Sequence, residues 1–261
     1  MSVVGVVGEL WRYPVKSMGG EEMEEAFVGY PGVYGDRHFA FKTPARPKGF
    51  PYLTGREQEA MLRYRPRFRH PEKALAPPNL EAARKLPPGI NPIDADDEDM
   101  RVDVLTPSGE VLAVDDAELA RMLDEGVGEG LTLVRSVRAM TDCRPVSVIS
   151  TQTVAQIGEE LGGELDHRRF RANVYLDFED GEGFGEDRFV GKSLRVGSEA
   201  VVAIIERDPR CKMISLDPDT GEHNPDILRK VAQSHDNLAG VYCAVLVEGK
   251  VGKGDPIEVI G

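Results

Sequence analysis

Short runs of β-branched and aromatic residues recur along most of the chain, separated by glycine, proline and aspartate. Short strands with such turn signals at regular spacing are typical of β-barrels. The sequence therefore predicts a mainly β, barrel-rich fold with a few helices. The predicted strands cover residues 3–10, 24–30, 38–41, 100–105, 131–134, 146–149, 173–176, 193–196, 200–205, 242–247 and 256–260.

Helices are predicted where a polar capping residue precedes apolar residues at helical spacing and a residue that ends helices follows. Between residues 71 and 99 proline is frequent and an acidic run ends the segment, which predicts a long, mobile loop. The predicted helices begin after Asp115 and Asp116, after Ser150 or Thr151, and at Asn224 and Pro225.

Charge and cysteine content argue against several classes of protein. The 261 residues include 45 acidic and 32 basic side chains, a net charge of −13, so the basic surface of a nucleic-acid binder is not expected. No stretch approaches the ~20 apolar residues of a membrane helix, and the N-terminus lacks a signal-peptide pattern. Three cysteines without a CxxC motif argue for a reducing compartment and against zinc or iron–sulfur sites. We expect a cytoplasmic protein that binds neither nucleic acid nor membrane.

The most informative residue for function is Cys211, which lies between Arg210 and Lys212 just after the β-branched run 200–205. Neighbouring cations favour the thiolate, the form that attacks carbon and binds soft metals. A turn-forming segment at residues 217–221 is expected to hold the loop that carries this cysteine. The sequence therefore indicates a reactive or metal-binding thiol.

The other cysteines and the histidines have simpler explanations. A free cysteine is usually a small buried hydrophobe, which fits Cys243 within the apolar strand 242–247, whereas Cys143 next to Asp142 stays ambiguous. The five histidines are not spaced as metal ligands. A cysteine–histidine catalytic pair stays open, because such partners can be distant in sequence.

Four segments carry residue types that bind anions, and each also has a plainer explanation. The first precedes two glycines and also fits an ordinary turn. The second is an arginine at the start of a strand, where surface ion pairs are common. The third begins a helix and also serves as a cap. The fourth is an arginine cluster that also fits a solvated charge run. In this order, the four segments are Lys16 with Ser17, Arg37, Ser150 with Thr151, and the cluster of Arg168, Arg169 and Arg171.

Arginine also alternates with apolar or aromatic residues over positions 62–70. Basic and aromatic side chains together are a feature of proteins that bind single-stranded nucleic acid. On a strand, however, successive side chains point to opposite faces, so the arginines and aromatics would lie apart. A half-buried strand with a solvated basic face is the better interpretation.

Taken in their order along the chain, these segments resemble the MOSC-domain family with an N-terminal MOSC β-barrel domain. The resemblance covers nearly the whole chain and implies two domains, residues 1–115 and 116–261. The functional relatives to which it points are the amidoxime-reducing components and the YcbX-like proteins. The resemblance rests on residues 13–17, 35–37 and 53–58 for the first domain, and on residues 169–173, 186–191, 210–221 and 254–256 for the second.

The resemblance implies a molybdenum cofactor, in which molybdopterin holds the metal, bound between the two domains. The thiolate of Cys211 would bind the molybdenum, and Asp142 would lie near the metal as a catalytic group. An anionic cofactor also accounts for arginines concentrated in a few segments of an acidic chain. The residues implied to bind the cofactor are Lys16, Ser17, Arg37, Ser150, Thr151, Arg171, Asn173 and Arg210.

The sequence departs from the family pattern in ways that concern the substrate more than the cofactor. Many relatives have tryptophan at the position of either Phe184 or Phe189. Residues 71–99 differ from the corresponding segment of the family. The chain ends at Gly261 without the ferredoxin domain of some relatives. We therefore expect electrons from a separate protein, either a ferredoxin or a cytochrome b5-like protein with its reductase.

The implied reaction is the two-electron reduction of N-hydroxylated compounds such as amidoximes and hydroxylamines. One alternative is a non-catalytic protein that carries the cofactor, or carries sulfur as a persulfide on Cys211. The sequence includes no desulfurase domain, which weighs against sulfur carriage. A second alternative is a relative that binds no metal, against which the joint presence of Lys16, Arg37, Arg171 and Cys211 argues.

Overall fold

The computed structural model of the protein describes residues 2–83, 85 and 96–260. Strands dominate these residues. The strands are β1 (Ser2–Arg12), β2 (Glu21–Met23), β3 (Glu25–Gly29), β4 (Gly32–Val33), β5 (Phe39–Lys42), β6 (Arg65–Phe68), β7 (Val102–Leu105), β8 (Val111–Ala113), β9 (Thr132–Arg135), β10 (Val146–Ser150), β11 (Val174–Phe178), β12 (Ser193–Val196), β13 (Ala200–Pro209), β14 (Leu238–Val247), β15 (Gly249–Gly252) and β16 (Pro256–Ile260). The α-helices are α1 (Leu80–Ala83), α2 (Ala117–Asp124), α3 (Thr151–Leu161) and α4 (Pro225–Ser234).

The chain forms two compact units, each built from separate segments. The barrel unit comprises Met1–Trp11, Glu22–Val33 and Asp142–Gly261, and the second unit comprises Arg12–Glu21 and Tyr34–Thr141. The barrel unit thus takes strand β1 from the beginning of the chain. The domain boundary between residues 115 and 116 stays a prediction.

A closed barrel of seven strands forms the centre of the barrel unit. The strands follow the order β11-β10-β14-β13-β12-β16-β1, and a further pairing of β1 with β11 closes the ring. The pair β10–β11 is parallel, and its neighbouring pairs are antiparallel. β-branched side chains alternate along these strands and fill the interior, because successive residues of a strand point to opposite faces. The predicted mainly β, barrel-rich fold is confirmed.

The second unit contains smaller sheets, one pairing β5 with β9 and one with the order β6-β7-β8. Its core includes Val15, Met18 and Leu119. In β6 the side chains of Pro66 and Phe68 are buried and that of Arg67 is exposed, which agrees with a half-buried strand that has a solvated basic face.

The three predicted helices are present, and their capping residues act as expected. Asp116 accepts a hydrogen bond from the amide of Glu118, Ser150 from that of Thr153, and Asn224 from that of Asp226. The predicted loop at residues 71–99 contains the short helix α1, and its residues 84 and 86–95 lie outside the described residues. No helix in the described part of the chain has the length and apolar character needed to cross a membrane.

Candidate functional site

Cys211 lies at the start of a short 3₁₀ turn, Lys212–Ser215, two residues after the end of β13. Its carbonyl accepts a hydrogen bond from the amide of Ile214 at 3.2 Å. The side chain of Cys211 is partly buried, whereas Cys243 is packed inside the barrel and Cys143 is exposed. A strand therefore delivers this thiol to a turn outside the barrel core.

Arg210 anchors the chain immediately before this thiol. Arg210 is 8% exposed, and its guanidinium donates to the carbonyls of Ala239 at 2.6 Å and Phe170 at 3.1 Å. It also pairs with Asp208 at 2.9 Å. The remaining nitrogen, Nη2, is buried without a hydrogen-bond partner among the described residues. A Cβ atom at Gly240 would come within 2.9 Å of Nη2, so the glycine leaves room beside this nitrogen.

Sequence reasoning did not find the role of Asn237 in this anchor. Its Nδ2 donates to the carbonyl of Arg210 at 2.7 Å, and its own carbonyl accepts from the amide of Arg210 at 2.8 Å. Asn237 and Asp236 both have positive φ. An Asp-Asn pair was an available signal, because these two residues tolerate the left-handed region better than most.

Three of the residues implied to bind the cofactor have strained backbone conformations. Their φ angles are 67° at Ser17, 42° at Arg37 and 52° at Arg171. A left-handed conformation costs about 1–2 kcal/mol per residue outside glycine, so the surrounding structure must hold it. Such strain concentrates at ligand-binding positions, which makes these three residues candidates independently of any resemblance.

Lys16 and Arg37 meet at the same backbone segment of the second unit. Nζ of Lys16, which is 5% exposed, donates to the carbonyl of Met140 at 2.8 Å. The amide of Met140 donates to the carbonyl of Arg37 at 3.1 Å. The Lys16 ammonium also lies 5.1 Å from the ring centre of Phe50 and 5.3 Å from that of Tyr52, within cation–π range. The structure thus gathers two implied cofactor ligands within one unit.

The alternative that Arg37 is a surface ion-pair partner is wrong, because its ion pair is buried. Nη1 of Arg37 lies 2.5 Å from Asp36, and the guanidinium stacks 4.4 Å from the ring centre of Tyr13. Asp36 also accepts from the amide of Tyr13 at 2.9 Å. Salt bridge and ring together fix the direction of this guanidinium.

Arg168 and Arg169 are paired with carboxylates and so do not form a freely solvated charge run, although Nη1 of Arg169 is buried without a hydrogen-bond partner among the described residues. Arg168 pairs with both Asp166 and Asp219 at 2.6 Å, and Arg169 pairs with Asp217 at 2.9 Å. These two arginines are therefore bound to carboxylates of the protein itself. Arg171, with its left-handed backbone, remains the candidate from this cluster.

Ser150 is fully buried and holds a carboxylate of the protein at the start of α3. Its hydroxyl donates to Glu186 at 2.7 Å, its amide donates to Glu186 at 3.3 Å, and Thr153 donates to the same carboxylate at 2.9 Å. Glu186 is itself 0% exposed. The anion expected at this helix N-terminus is thus an internal side chain, and nothing in this geometry supports Ser150 as a cofactor ligand. Thr151 is partly buried, and its hydroxyl lies 3.4 Å from Asp177.

Asn173 is also buried, and its side chain joins strands of the barrel. Its Oδ1 accepts from the amide of Ser147 at 3.2 Å, and its Nδ2 donates to the carbonyl of Trp11 at 3.3 Å. These bonds link β1, β10 and β11 at the point where the barrel closes. The observed role of this side chain is therefore structural, and its part in cofactor binding stays a prediction.

Asp142 lies on the surface of the barrel unit, next to the exposed thiol of Cys143. Burial and the neighbouring carboxylates, Asp142 first among them, raise the pKa of Cys143. A raised pKa disfavours the thiolate, so Cys143 is poorly suited to bind a metal. Within the described residues, no group of three or more His, Cys, Asp or Glu side chains could hold a metal ion.

Burial of Cys243 leads to a testable prediction about the reactivity of its thiol. It raises the pKa of this thiol to about 12, so about one molecule in 10⁴ carries the thiolate at pH 8. We expect iodoacetamide to leave Cys243 unmodified in the folded protein and to modify it in denaturant, as measured by mass spectrometry. Because the folded state holds this proton more tightly than the unfolded chain, the free energy of unfolding should fall as the pH rises from about 9 towards 12. Labelling of folded Cys243 as fast as Cys143 would contradict this.

Family models match most of the chain. The MOSC N-terminal beta barrel domain matches residues 4–117, and the MOSC domain matches residues 135–258. No curated protein matches the chain.

Solved structures also align with the chain, at low identity. The YuaD protein of Bacillus subtilis aligns over 98% of this chain and 95% of its own, at 13% identity and a TM-score of 0.48. YiiM from Geobacillus stearothermophilus aligns over 45% of this chain at 20% identity and a TM-score of 0.37, and YiiM from Escherichia coli over 45% at 19% and 0.34. The chain covers 55% of each YiiM chain.

Proposed function

Since this chain belongs to the family of MOSC-domain proteins with an N-terminal MOSC β-barrel domain, we propose that it binds a molybdenum cofactor and reduces N-hydroxylated compounds with it. Cys211 is the proposed protein ligand of the metal. Lys16, Ser17, Arg37, Arg171 and Arg210 are the proposed partners of the anionic part of the cofactor.

The observation that carries this proposal is a pair of buried polar atoms on residues close to Cys211 in the chain. Nη2 of Arg210 and Oγ of Ser215 are both buried without a hydrogen-bond partner among the described residues. A buried donor left unpaired costs about 1–3 kcal/mol, and natural proteins seldom retain such groups without a reason. Acceptor atoms of a bound ligand would relieve this cost, and an anionic ligand would suit the guanidinium best.

The residue types proposed to hold the cofactor also suit its chemistry. A thiolate is a soft ligand of the kind that molybdenum in a sulfur-rich environment accepts. Lys16, Arg37 and Arg171 supply positive charge, and Arg37 is oriented by Asp36 and Tyr13, so little ordering is left to be done when an anion binds.

When bound, the cofactor supplies a metal that can change its oxidation state by two electrons. Removing the oxygen of an N-hydroxyl group as water consumes two electrons and two protons. The exposed carboxyl group of Asp142 is the proposed proton carrier. The electrons are proposed to come from a separate ferredoxin or cytochrome b5-like protein with its reductase.

Metal analysis combined with one assay tests this proposal. Protein purified from molybdenum-replete cells should contain equimolar molybdenum, release a fluorescent pterin on oxidation, and convert benzamidoxime to benzamidine with an artificial electron donor. Protein from cells that cannot make the cofactor is the matched control and should do neither. Absence of molybdenum from the replete protein would contradict cofactor binding. Bound molybdenum without reduction of benzamidoxime or a hydroxylamine would contradict the reductase and support the carrier alternative.

A further inference from the structure

In the barrel unit, the side chain of Arg168 ties the turn His167–Phe170 to the turn at residues 217–221, which follows Cys211 in the chain. The 3₁₀ turn His167–Phe170 packs against the turn Lys212–Ser215 that follows Cys211. Arg168, from the first turn, donates to both carboxylate oxygens of Asp219, at 3.1 and 2.6 Å. The same guanidinium donates to Asp166, which caps the first turn by accepting from the amide of Arg168 at 2.9 Å.

A second arginine ties the same two parts of the chain. Nη2 of Arg169 donates to Asp217 at 2.9 Å. Although burial opposes the effect, hydrogen bonds from the amides of Thr220 and Asp219 lower the pKa of Asp217, so its charge is retained. The carboxylate of Asp217 thus organises the turn at residues 217–221 and links it to Arg169.

The third tie lies on the other side of Cys211. Nη1 of Arg210 donates to the carbonyl of Phe170 at 3.1 Å, and the guanidinium lies 5.3 Å from the ring centre of Phe170. The segment with Cys211 is therefore attached to the His167–Phe170 turn both before and after the thiol. The residue that ends this turn is Arg171, whose left-handed φ of 52° sets the direction in which the chain leaves it.

We infer that Arg168 and Arg169 are positioning residues that fix the Cys211 thiol relative to Arg171. Exposed ion pairs contribute little to global stability, and the side chain of Arg168 is 32% exposed, so stabilisation alone explains little of this double attachment. A planar guanidinium that binds two carboxylates instead fixes the relative positions of the chain segments that carry them. The inference rests on the proposed roles of Cys211 and Arg171, but the constraint itself exists without the cofactor.

Alkylation of Cys211 in cofactor-free protein tests the inference. Cys143→Ser removes the exposed competing thiol, and Arg168→Gln or Arg169→Gln is added to this background. The rate of iodoacetamide modification of Cys211 is measured from pH 6 to pH 10 by mass spectrometry. We expect each arginine variant to change the limiting rate at high pH by about threefold or more, because the turn that carries the thiol becomes free to move. Arg168→Lys keeps the positive charge but loses the planar guanidinium. Its rate should lie between that of the Cys143→Ser parent and that of the Arg168→Gln variant.

Arg69→Gln in the same background is the matched control. It removes another two-bond arginine–carboxylate pair, with Asp103 at 2.6 and 3.0 Å, from the second unit. The control should leave the Cys211 profile unchanged. An Arg168→Gln protein with the parent's profile but a lower unfolding midpoint would show a structural role only and overturn the inference. If Arg168→Gln does not fold, Asp219→Asn replaces it with the same expected change. The alkylation rate can be measured even if the protein never binds molybdenum. A negative result in this experiment is therefore distinct from a failure of the proposed function.

Discussion

Molybdenum should be lost from the Cys211→Ala protein, together with the reduction of benzamidoxime. The thiolate is the proposed protein ligand of the metal, and the structure places it in a turn outside the barrel core. Loss of a residue that merely supports a ligand already lowers metal affinity about 10–100-fold, so loss of the ligand itself should exceed about 100-fold. Metal content by elemental analysis and the rate with an artificial donor both measure this effect.

Cys143→Ala is the matched control for that experiment. Cys143 is a free, exposed cysteine of the same barrel unit, with a raised pKa. Its variant should keep the parent's metal content and rate. A Cys211→Ala protein with full metal content and activity would contradict the role proposed for Cys211, whereas equal losses in both variants would point to a general effect on folding.

Glu186→Ala should lower the free energy of unfolding by about 1–3 kcal/mol. The carboxylate of Glu186 is fully buried and accepts hydrogen bonds from the side chains of Ser150 and Thr153 and from the amide of Ser150. Without it, the hydroxyls of Ser150 and Thr153 keep, as donors, only their hydrogen bond to each other, which leaves one buried donor unpaired, and the positive end of the α3 dipole loses its anion. Urea unfolding followed by the fluorescence of Trp11, the single tryptophan of the chain, measures this effect.

Glu182→Ala provides the comparison for Glu186. Glu182 lies four residues earlier in the same loop and is exposed. Its removal should change the free energy of unfolding by less than about 0.5 kcal/mol. A loss at Glu186 no larger than at Glu182 would contradict the role assigned to the buried carboxylate.

Local features of the fold were predictable because they depend on neighbouring residues. The caps at Asp116, Ser150 and Asn224 follow from side chains that bond to amides two or three positions later. Strand β8 was missed because it has three residues, of which Val111 and Ala113 lack buried side chains. Closure of the barrel was also beyond local patterns, since it depends on pairing β1 with β11 and β16.

The candidate site, like the fold, could be predicted from local sequence only in part. Cys211 and Arg210 were identifiable from their own neighbourhood, as a thiol beside a cation. The partners of Arg168 were not, because Asp219 lies 51 residues away along the chain. Ser150 carried a real anion-binding signal, but the anion is Glu186, 36 residues later in the sequence. Sequence patterns thus revealed which groups bind charge, and only the fold decided which charge each one binds.

The closed barrel also constrains when the protein can reach its folded state during synthesis. Strand β1 is made well before its two neighbours in the ring, β11 and β16, with Ser2 paired to Val259. Until β11 and later β16 emerge, β1 lacks the hydrogen bonds that each of them will supply, and exposed edges are where chains associate wrongly. Such distant pairing slows folding. The ring therefore stays open until β16, the last of its strands along the chain, has been made.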